Sequence, residues 1–354
     1  MAMSPAEPKS SRPRVLFLAD CGSEAGGGHV MRCLSLATAL MHRGAVCAML
    51  ATPAVSAVLD VFASPGIERL DVEEGPLHLL VRAARDHASR WGAQLVVVDH
   101  YRLTAEQEQF LAAPVAVIDD LADRPHRCGM VINPNFGRGP ADYEKLTPPG
   151  VRILAGPDYA LLAPAYAEAR AESLSARRCD APPRRLLVSL GLMDLKGITG
   201  RVLRLLEPQL GGLEVDVVTG GQAGSLPWLR HLASRDPRLR LHVDTQSMPA
   251  LIARADIGVG AGGSSTWERA ALGLPAISLV LADNQRELAL ELDRRGACLA
   301  IEARGGGLDQ RLADAFARLL EDAPLRRRLS EISAGLCDAQ GAARVAEALL
   351  APPA

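Results

Sequence analysis

The sequence lacks the cysteine spacings that disulfide frameworks and zinc sites require. It contains seven cysteines, and none of them forms a Cys-x-x-Cys pair. An odd number of cysteines cannot all pair within one chain, and zinc-binding cysteines usually occur at short, regular spacings. We therefore expect no disulfide framework, no metal site and a reducing, cytoplasmic environment.

The sequence also lacks an excess of positive charge and a long apolar run. The formal net charge at pH 7 is -2, which argues against a nucleic-acid binder, because such proteins need clustered cations to neutralise phosphates. No stretch approaches the roughly eighteen consecutive apolar residues of a transmembrane helix. Residues 1–13 are rich in Pro and Ser and have no apolar core, so we expect a disordered tail and not a signal peptide.

What the chain does contain is an alternation of short apolar runs with helix-like segments. Its 354 residues and 48% hydrophobic content suit two domains, each with a buried core. Apolar runs that alternate with helices are typical of a parallel sheet covered on both faces. We predict an α/β protein of two Rossmann-like domains whose parallel sheets face a central cleft, with bounds 14–165, a linker at 166–184, and 185–354.

The alternation predicts individual elements. Strands are expected at 14–19, 45–51, 95–99, 114–118 and 129–132 and, in the second half, from Leu186 and at 214–219, 239–243, 256–260 and 276–280. Helices are expected at 29–43, 54–63, 76–91, 104–112, 197–207, 225–234, 248–254, 264–273, 285–295, 307–320 and 341–350. The last of these helices fits on either domain.

The most informative motif is a glycine run that ends in histidine, Gly26-Gly27-Gly28-His29, between a strand and a helix. This arrangement lets backbone N–H groups approach an anionic ligand, and histidine suits proton transfer near neutral pH. Arg32 lies one turn on, on the same helix face, so we predict that Gly27, Gly28 and Arg32 bind substrate. The motif does not satisfy Gly-x-Gly-x-x-Gly, and we expect no dinucleotide or other cofactor. The alternative to a ligand-binding role for this motif is a tight turn with a histidine at the helix start.

Polar residues follow two buried strands in the first half. Val96-Val97-Val98 continues into Asp99-His100-Tyr101, and Val117-Ile118 continues into Asp119-Asp120. Clustered polar residues at adjacent strand ends favour a ligand site, whereas solvation of the strand ends is the simpler alternative.

The second half carries a candidate phosphate-binding loop, made of Gly262, Gly263, Ser264, Ser265 and Thr266. Its glycines permit close backbone approach, and free N–H groups at a helix start can hold a diphosphate. Glu268 is placed to accept hydrogen bonds from a ribose diol, and Asn284 and Gln285 follow the next strand at another helix start. The alternative for residues 262–268 is an ordinary helix start capped by Ser, with Glu268 in solvent. The alternative for Asn284 and Gln285 is a plain helix N-cap.

Together these motifs resemble the UDP-2,4-diacetamido-2,4,6-trideoxy-β-L-altropyranose hydrolases of pseudaminic acid biosynthesis, a route to flagellin glycosylation. The resemblance covers residues 14–350 and rests on motifs in a fixed order: Gly-Gly-Gly-His-x-x-Arg-Cys-Leu, Asp-His-Tyr, Ile-Asp-Asp-Leu-Ala, Gly-Gly-Ser-Ser-Thr with Glu268, Leu-Gly-Leu-Pro and Asp-Asn-Gln. The second half is also similar to the N-acetylglucosaminyltransferase of peptidoglycan synthesis, a GT-B protein.

The resemblance implies a GT-B-like fold, UDP held mainly by the second domain, and metal-independent hydrolysis at the anomeric carbon with inversion. It implies that His29 is the catalytic histidine, Tyr101 an active-site tyrosine, 262–266 the nucleotide loop and Glu268 the ribose carboxylate. Under this mechanism His29 is the base, either Asp20 or Asp99 orients its imidazole, and Tyr101 positions the sugar or the water.

Two departures from the family pattern leave the exact sugar open, and with it the choice between hydrolysis and transfer. The family has Arg-x-Asp-x-Ser after the first strand, and this chain keeps only Asp20 of that motif. The family has Gly-Gly-x-Asp at the start of the second domain, where this chain has Gly191-Leu192-Met193-Asp194. A GT-B glycosyltransferase, a non-catalytic nucleotide-sugar binder and a UDP-sugar 2-epimerase are the alternatives. The expected partners are a UDP-sugar and other sugar-pathway enzymes, with no nucleic acid and no membrane span.

Overall fold

Two parallel β-sheets organise the chain in the computed structural model, which describes residues 12–22 and 26–352. The first sheet contains β1 Arg14–Ala19, β2 Val46–Ala51, β3 Glu68–Asp71, β4 Leu95–Asp99, β5 Val115–Ile118, β6 Met130–Asn133 and β7 Arg152–Ala155. Its strand order is β3-β2-β1-β4-β5-β6-β7, and all of these strands pair in parallel. Its helices are α1 Gly28–His42, α2 Pro53–Phe62, α3 Leu77–Trp91, α4 Ala105–Glu108 and α5 Pro140–Tyr143.

The second sheet follows α6 Pro164–Ala176 and repeats the design. Its strands are β8 Arg185–Ser189, β9 Glu214–Thr219, β10 Leu239–Val243, β11 Ile257–Ala261, β12 Ala276–Val280 and β13 Leu299–Glu302, in the order β10-β9-β8-β11-β12-β13. Its helices are α7 Ile198–Leu206, α8 Leu226–Arg235, α9 Met248–Arg254, α10 Ser265–Ala271, α11 Asp283–Arg294, α12 Leu308–Glu321 and α13 Ala323–Leu336; α14 Gly341–Leu350 ends the chain.

Strand β1 shows why these sequences form buried parallel strands. Val15 and Phe17 pack in the cluster that contains the apolar side of α1, whereas Leu16 and Leu18 pack in the cluster that contains α3. Both faces of the strand are therefore covered, which explains its uninterrupted apolar sequence.

The strand order determines where a ligand site can form. In the first sheet β1 pairs with both β2 and β4, and in the second β8 pairs with both β9 and β11. The chain direction across the sheet reverses at these strands, and the connections that leave their carboxyl ends diverge. Open α/β sheets bind ligands in the resulting crevice.

The last helix, whose position the sequence left open, packs against α1 of the first sheet. Val345 and Ala346 are fully buried in the same apolar cluster as Leu36 and Leu40. The chain therefore crosses twice between the sheets, once through α6 and once before α14. The domain bounds 14–165 and 185–354 stay predictions.

The expected strands are present, with ends shifted by at most one or two residues, and three further strands were missed. The missed strands β3, β7 and β13 all lie at sheet edges, where a short strand with charged residues lacks an apolar run. The helix expected at 104–112 is shorter, since α4 ends at Glu108, and α13 was not expected.

Residues 1–11 of the predicted tail lie outside the described residues. Among the helices of the described ranges, none combines the length and the apolar character needed to span a membrane.

Candidate active site

His29 is presented at the carboxyl end of β1 by a short glycine loop. Gly26 has a φ of 70°, a conformation that glycine adopts without steric cost. Gly27 is the N-cap of α1 and provides no side-chain cap, so His29 lies in an open first turn of the helix. The side chain is 5% exposed, which fixes the imidazole against its neighbours.

Asp99, at the end of β4, holds the imidazole of His29. The His29 Nδ1 lies 2.5 Å from the Asp99 Oδ1, and Asp99 is completely buried. Burial opposes ionisation, but the charges of Arg32 and then His29 outweigh it and hold the pKa of Asp99 well below its usual range. The Arg32 Nη2, a donor only, lies 3.1 Å from the same Nδ1, but the carboxylate, an acceptor only, is closer. We therefore assign the proton to Nδ1, which leaves a lone pair on Nε2 of a neutral His29. No described residue bonds to that Nε2.

Arg32 fixes the carboxylate in turn. Its Nε donates to the Asp99 Oδ2 at 2.5 Å, its Nη2 donates to the Asp99 Oδ1 at 2.6 Å, and its Nη1 donates to the Asp120 Oδ2 at 2.9 Å. Such a bidentate pair fixes both partners in one orientation. These contacts give Arg32 a positioning role toward His29, and direct binding of substrate by Arg32 stays a prediction.

Tyr101 closes the other side of the imidazole. Its ring meets the His29 ring edge to face, with centroids 4.5 Å apart. Its hydroxyl donates to the Asp120 Oδ2 at 3.2 Å, and burial, followed by the charge of Asp120, raises the pKa of Tyr101. The Asp120 Oδ1 is buried without a partner among the described residues. The sequence placed Asp119-Asp120 in a polar cluster that favours a ligand site, but we assigned Asp120 no individual role.

Asp20 has a different neighbour. Its Oδ2 lies 3.7 Å from Nδ1 of His100, and its backbone N–H donates to the Asp99 carbonyl at 2.8 Å. Burial lowers the pKa of His100. Of the two candidates for orienting the imidazole, Asp99 therefore has the contact, and a catalytic role for Asp20 stays a prediction.

The loop after β11 leaves its backbone donors free. No described residue accepts a hydrogen bond from the backbone N–H of Gly263, Ser264 or Ser265, whereas that of Gly262 donates to the Leu279 carbonyl at 2.8 Å. Gln285 packs its side chain against Gly262 and Gly263 and accepts from the Leu281 N–H at 3.0 Å. An unpaired row of N–H groups beside a strand end suits an anionic ligand.

The two sheet edges meet at this point. A Cβ on Gly28 would lie 3.5 Å from the Ser264 Oγ, so the histidine loop and the loop after β11 are neighbours. The Asn284 Nδ2 donates to the Tyr101 hydroxyl at 2.8 Å and joins the two halves directly. His29 and the candidate phosphate loop therefore lie on one shared gap.

Glu268 is half-buried and faces α6. Burial raises the pKa of Glu268, while the Tyr166 hydroxyl acts in the opposite direction. Its predicted role as the ribose carboxylate stays a prediction. Sequence reasoning missed both Tyr166, which faces Glu268, and Arg269, which donates to hydroxyls of the loop, because nothing in their spacing marks them.

Within the described ranges, no group of three or more His, Cys, Asp or Glu side chains is arranged to hold a metal ion.

Comparison with known proteins supports the resemblance. No family model matches the chain. It is 29% identical over 196 residues to the spore coat polysaccharide biosynthesis protein SpsG of Bacillus subtilis, over 55% of this chain and 57% of that protein. It is 22% identical over 287 residues to the UDP-2,4-diacetamido-2,4,6-trideoxy-beta-L-altropyranose hydrolase of Campylobacter jejuni, over 80% of this chain and 97% of the hydrolase.

A shorter match of 104 residues, 39% identical, links 28% of this chain to 25% of a UDP-N-acetylglucosamine–N-acetylmuramyl-(pentapeptide) pyrophosphoryl-undecaprenol N-acetylglucosamine transferase of Sorangium cellulosum. Among solved structures, MurG of Acinetobacter baumannii superposes with a TM-score of 0.61 at 14% identity, covering 95% of this chain and 98% of MurG. The fold is GT-B-like. Staphylococcus aureus MnaA, solved with UDP, superposes with a TM-score of 0.65 at 11% identity, over 96% of each chain. By sequence the chain is thus similar to proteins named for their action on UDP-sugars, and by structure it shares the GT-B-like fold.

Proposed function

We propose that this chain hydrolyses a UDP-linked deoxy-diacetamido sugar at its anomeric carbon and releases UDP and the free sugar. The reaction inverts the anomeric centre and needs no metal. It serves nonulosonic, pseudaminic-type acid biosynthesis for flagellin or another surface glycan. One observation carries the proposal: a carboxylate-held His29 lies beside a loop of free N–H groups at Gly263–Ser265.

His29 supplies the base. With Nδ1 bonded to Asp99, the lone pair on Nε2 takes a proton from a water molecule as its oxygen attacks the anomeric carbon. Arg32 keeps the Asp99 carboxylate in place, so the imidazole keeps one orientation through the reaction. Attack from the side opposite the diphosphate inverts the anomeric centre.

The leaving group is bound by the second sheet. As the bond from the anomeric carbon to the phosphate oxygen breaks, its electron pair stays on UDP. The free N–H groups of Gly263, Ser264 and Ser265 stabilise this charge without reorganisation. Glu268 accepts hydrogen bonds from the ribose hydroxyls, and Gln285 supports the glycines of the loop.

Tyr101 and Asn284 close the gap between the sheets. Their hydrogen bond keeps the two edges together next to the imidazole. A closed gap excludes bulk water and orders the one water that reacts.

All seven cysteines are free thiols, in keeping with our proposal of a cytoplasmic enzyme.

The test is turnover without an acceptor. The purified chain is incubated with UDP-2,4-diacetamido-2,4,6-trideoxy-β-L-altropyranose and followed by ¹H and ³¹P NMR. We expect equal amounts of UDP and free sugar, with the first-formed sugar in the inverted anomeric configuration. A UDP linkage that survives, with or without epimerisation at the sugar, contradicts the proposal.

Glycosyl transfer is the second candidate, favoured by the matched stretch of the Sorangium cellulosum transferase. Chemically it replaces the attacking water by an acceptor hydroxyl. It predicts that UDP release in the same experiment stays negligible until an acceptor is added.

A further inference from the structure

Arg269 is a buried cation without a counter-ion. It lies on α10, directly beneath the loop after β11, and only 5% of it is exposed. It forms no ion pair with any carboxylate of the described residues, Glu268 included. Arginine stays protonated in proteins, so a positive charge is fixed at this place, and the adjacent Glu268 interacts with it without forming an ion pair.

Neutral oxygen atoms of the loop surround the guanidinium. Its Nη2 donates to the Ala261 carbonyl at 2.8 Å, the Thr266 Oγ1 at 3.1 Å and the Ser278 Oγ at 3.3 Å, and its Nη1 donates to the Ser265 Oγ at 3.2 Å. The Nε is buried with no partner in the described part of the chain. The hydroxyls of the candidate phosphate loop are thus held from below by a cation.

The strand beneath it is shaped for this side chain. Gly260 of β11 leaves the space that the guanidinium fills, and a Cβ at this position would collide with the Arg269 Nη1. A glycine in the middle of a buried strand weakens the strand, so its presence indicates a need for close approach. The close approach of Arg269 therefore explains why a glycine occupies position 260, although glycine weakens the strand.

Arg326 shows what a purely structural buried arginine looks like in the same domain. It is 3% exposed and also has no carboxylate partner among the described residues. Its guanidinium donates to backbone carbonyls, including those of Leu319 and Leu320 at the end of α12, where the helix dipole is negative. Arg269 lies in the last turn of α10, but its guanidinium reaches back toward the helix start. Among the described residues the Ala261 carbonyl is the one backbone carbonyl that accepts from it, so its charge is less compensated than that of Arg326.

We propose that Arg269 is a positioning residue for diphosphate, which supplies the missing negative charge when UDP occupies the loop above it. The inference rests on the proposed use of a UDP-sugar. Arg269 holds the Ser265 and Thr266 hydroxyls in place and adds a fixed positive charge where the leaving group accumulates negative charge. Without an anion, the same charge has no ion-pair partner in the described part of the protein.

The experiment compares a charged with an uncharged ligand. The affinities for UDP, by calorimetry, and for uridine, by ligand-observed NMR, are measured for the wild type, R269M and R269K. We expect R269M to weaken UDP binding by about tenfold to a hundredfold and uridine binding by less than about twofold, because only UDP carries the charge that Arg269 attracts. R269K should keep most of the discrimination.

The matched control is R326M, which removes an equally buried arginine that already has carbonyl partners. R326M should leave the ratio of the two affinities unchanged. Gly260→Ala, which displaces the guanidinium without removing it, should weaken the binding of UDP more than the binding of uridine. This variant provides the test if thermal unfolding shows that R269M does not fold. Equal losses for both ligands in the Arg269 and Gly260 variants, or no loss, overturn the inference. A wild type that binds no UDP overturns the proposed function instead.

Discussion

The two sheet edges that meet at the gap differ in whether their buried arginine forms ion pairs within the protein. At the first edge Arg32 pairs with Asp99 and with Asp120, and His29 shares the same carboxylate, so the buried positive charge has its counter-ions inside the protein. At the second edge Arg269 is just as deeply buried, and its hydrogen bonds go to neutral oxygens, with no ion pair among the described residues. The first edge pairs its buried arginine within the protein, and under our proposal the second edge pairs its arginine with the diphosphate of the ligand.

This difference separates two tasks. A base must keep one orientation before the substrate arrives, and a self-contained network provides that. A site for a departing diphosphate gains from charge that the protein itself leaves uncompensated, because the ligand then relieves an unfavourable state. The comparison therefore predicts which variants damage turnover, which damage the fold and which damage binding.

The largest effect is expected from removal of the base. H29N should lower the turnover rate by about 10³-fold, about 4 kcal/mol in activation free energy, because no other group takes the proton from water. UDP affinity should change less than about threefold, since the second edge holds the nucleotide. UDP release and calorimetry measure the two quantities, and H78N, at an exposed histidine of α3, is the control. Near-full activity of H29N rules out this base.

The next effect concerns stability without ligand. R32M leaves Asp99 and Asp120 without their cation and should lower the free energy of unfolding by about 3 kcal/mol. R269M breaks no ion pair and should cost at most about 1 kcal/mol. Urea denaturation of both variants measures the difference, and R32M/D99N should recover part of the loss. Equal destabilisation by R32M and R269M would remove the contrast between the edges.

A third test uses pH, since behind the first edge a buried histidine also neutralises carboxylates. The His126 Nδ1 lies 2.7 Å from the Glu108 Oε1, and its Nε2 lies 3.7 Å from the Asp119 Oδ2. Burial lowers the pKa of His126, but the two carboxylates outweigh it and raise the pKa to about 9. A raised pKa stabilises the fold below the ordinary value of about 6.5, and that contribution is lost as the pH rises through 9.

The wild type should therefore lose about 3 kcal/mol of unfolding free energy between pH 6.5 and 9.5, from the pKa shift of His126. H126Q, which cannot titrate, should show a flatter profile over the same range. Urea midpoints at each pH provide the measurement. Parallel profiles for the two proteins would show that the histidine does not compensate these carboxylates.

The smallest effect is expected where the edges touch. Y101F removes the hydroxyl that joins Asp120 to Asn284 and should lower kcat/KM by about fivefold, the value of one hydrogen bond. N284A breaks only the contact to Tyr101 and should have a similar or smaller effect, and the double variant should be no worse than Y101F, which already removes that contact. Additive losses in this cycle would mean that the two side chains act separately.

The sequence predicted most of the fold because buried parallel strands have a simple signature. Leu95–Asp99 and Ala276–Val280 are uninterrupted apolar runs, or nearly so, and both lie where expected. The edge strand Glu68–Asp71 was missed because one side of it faces solvent and its residues are mostly charged.

The candidate site was predicted only in part, for a similar reason. His29 and the glycines around it are marked by unusual local composition, and Asp99 by its place after an apolar strand. Arg269 has no such mark, because an arginine at that spacing is usually solvated, and its burial depends on Gly260 of another element. The choice between Asp20 and Asp99 as the contact of His29 also depended on the pairing of β1 with β4.

By itself, the amino-acid sequence determined the alternation of strands and helices and the presence of two loops rich in glycine. Both follow from local preferences: apolar runs form buried strands, and glycine permits turns that other residues resist. Only the tertiary structure decided which charges are neutralised within the protein and which are not. Charge compensation depends on distances between side chains from different elements, and the packing of two sheets sets those distances.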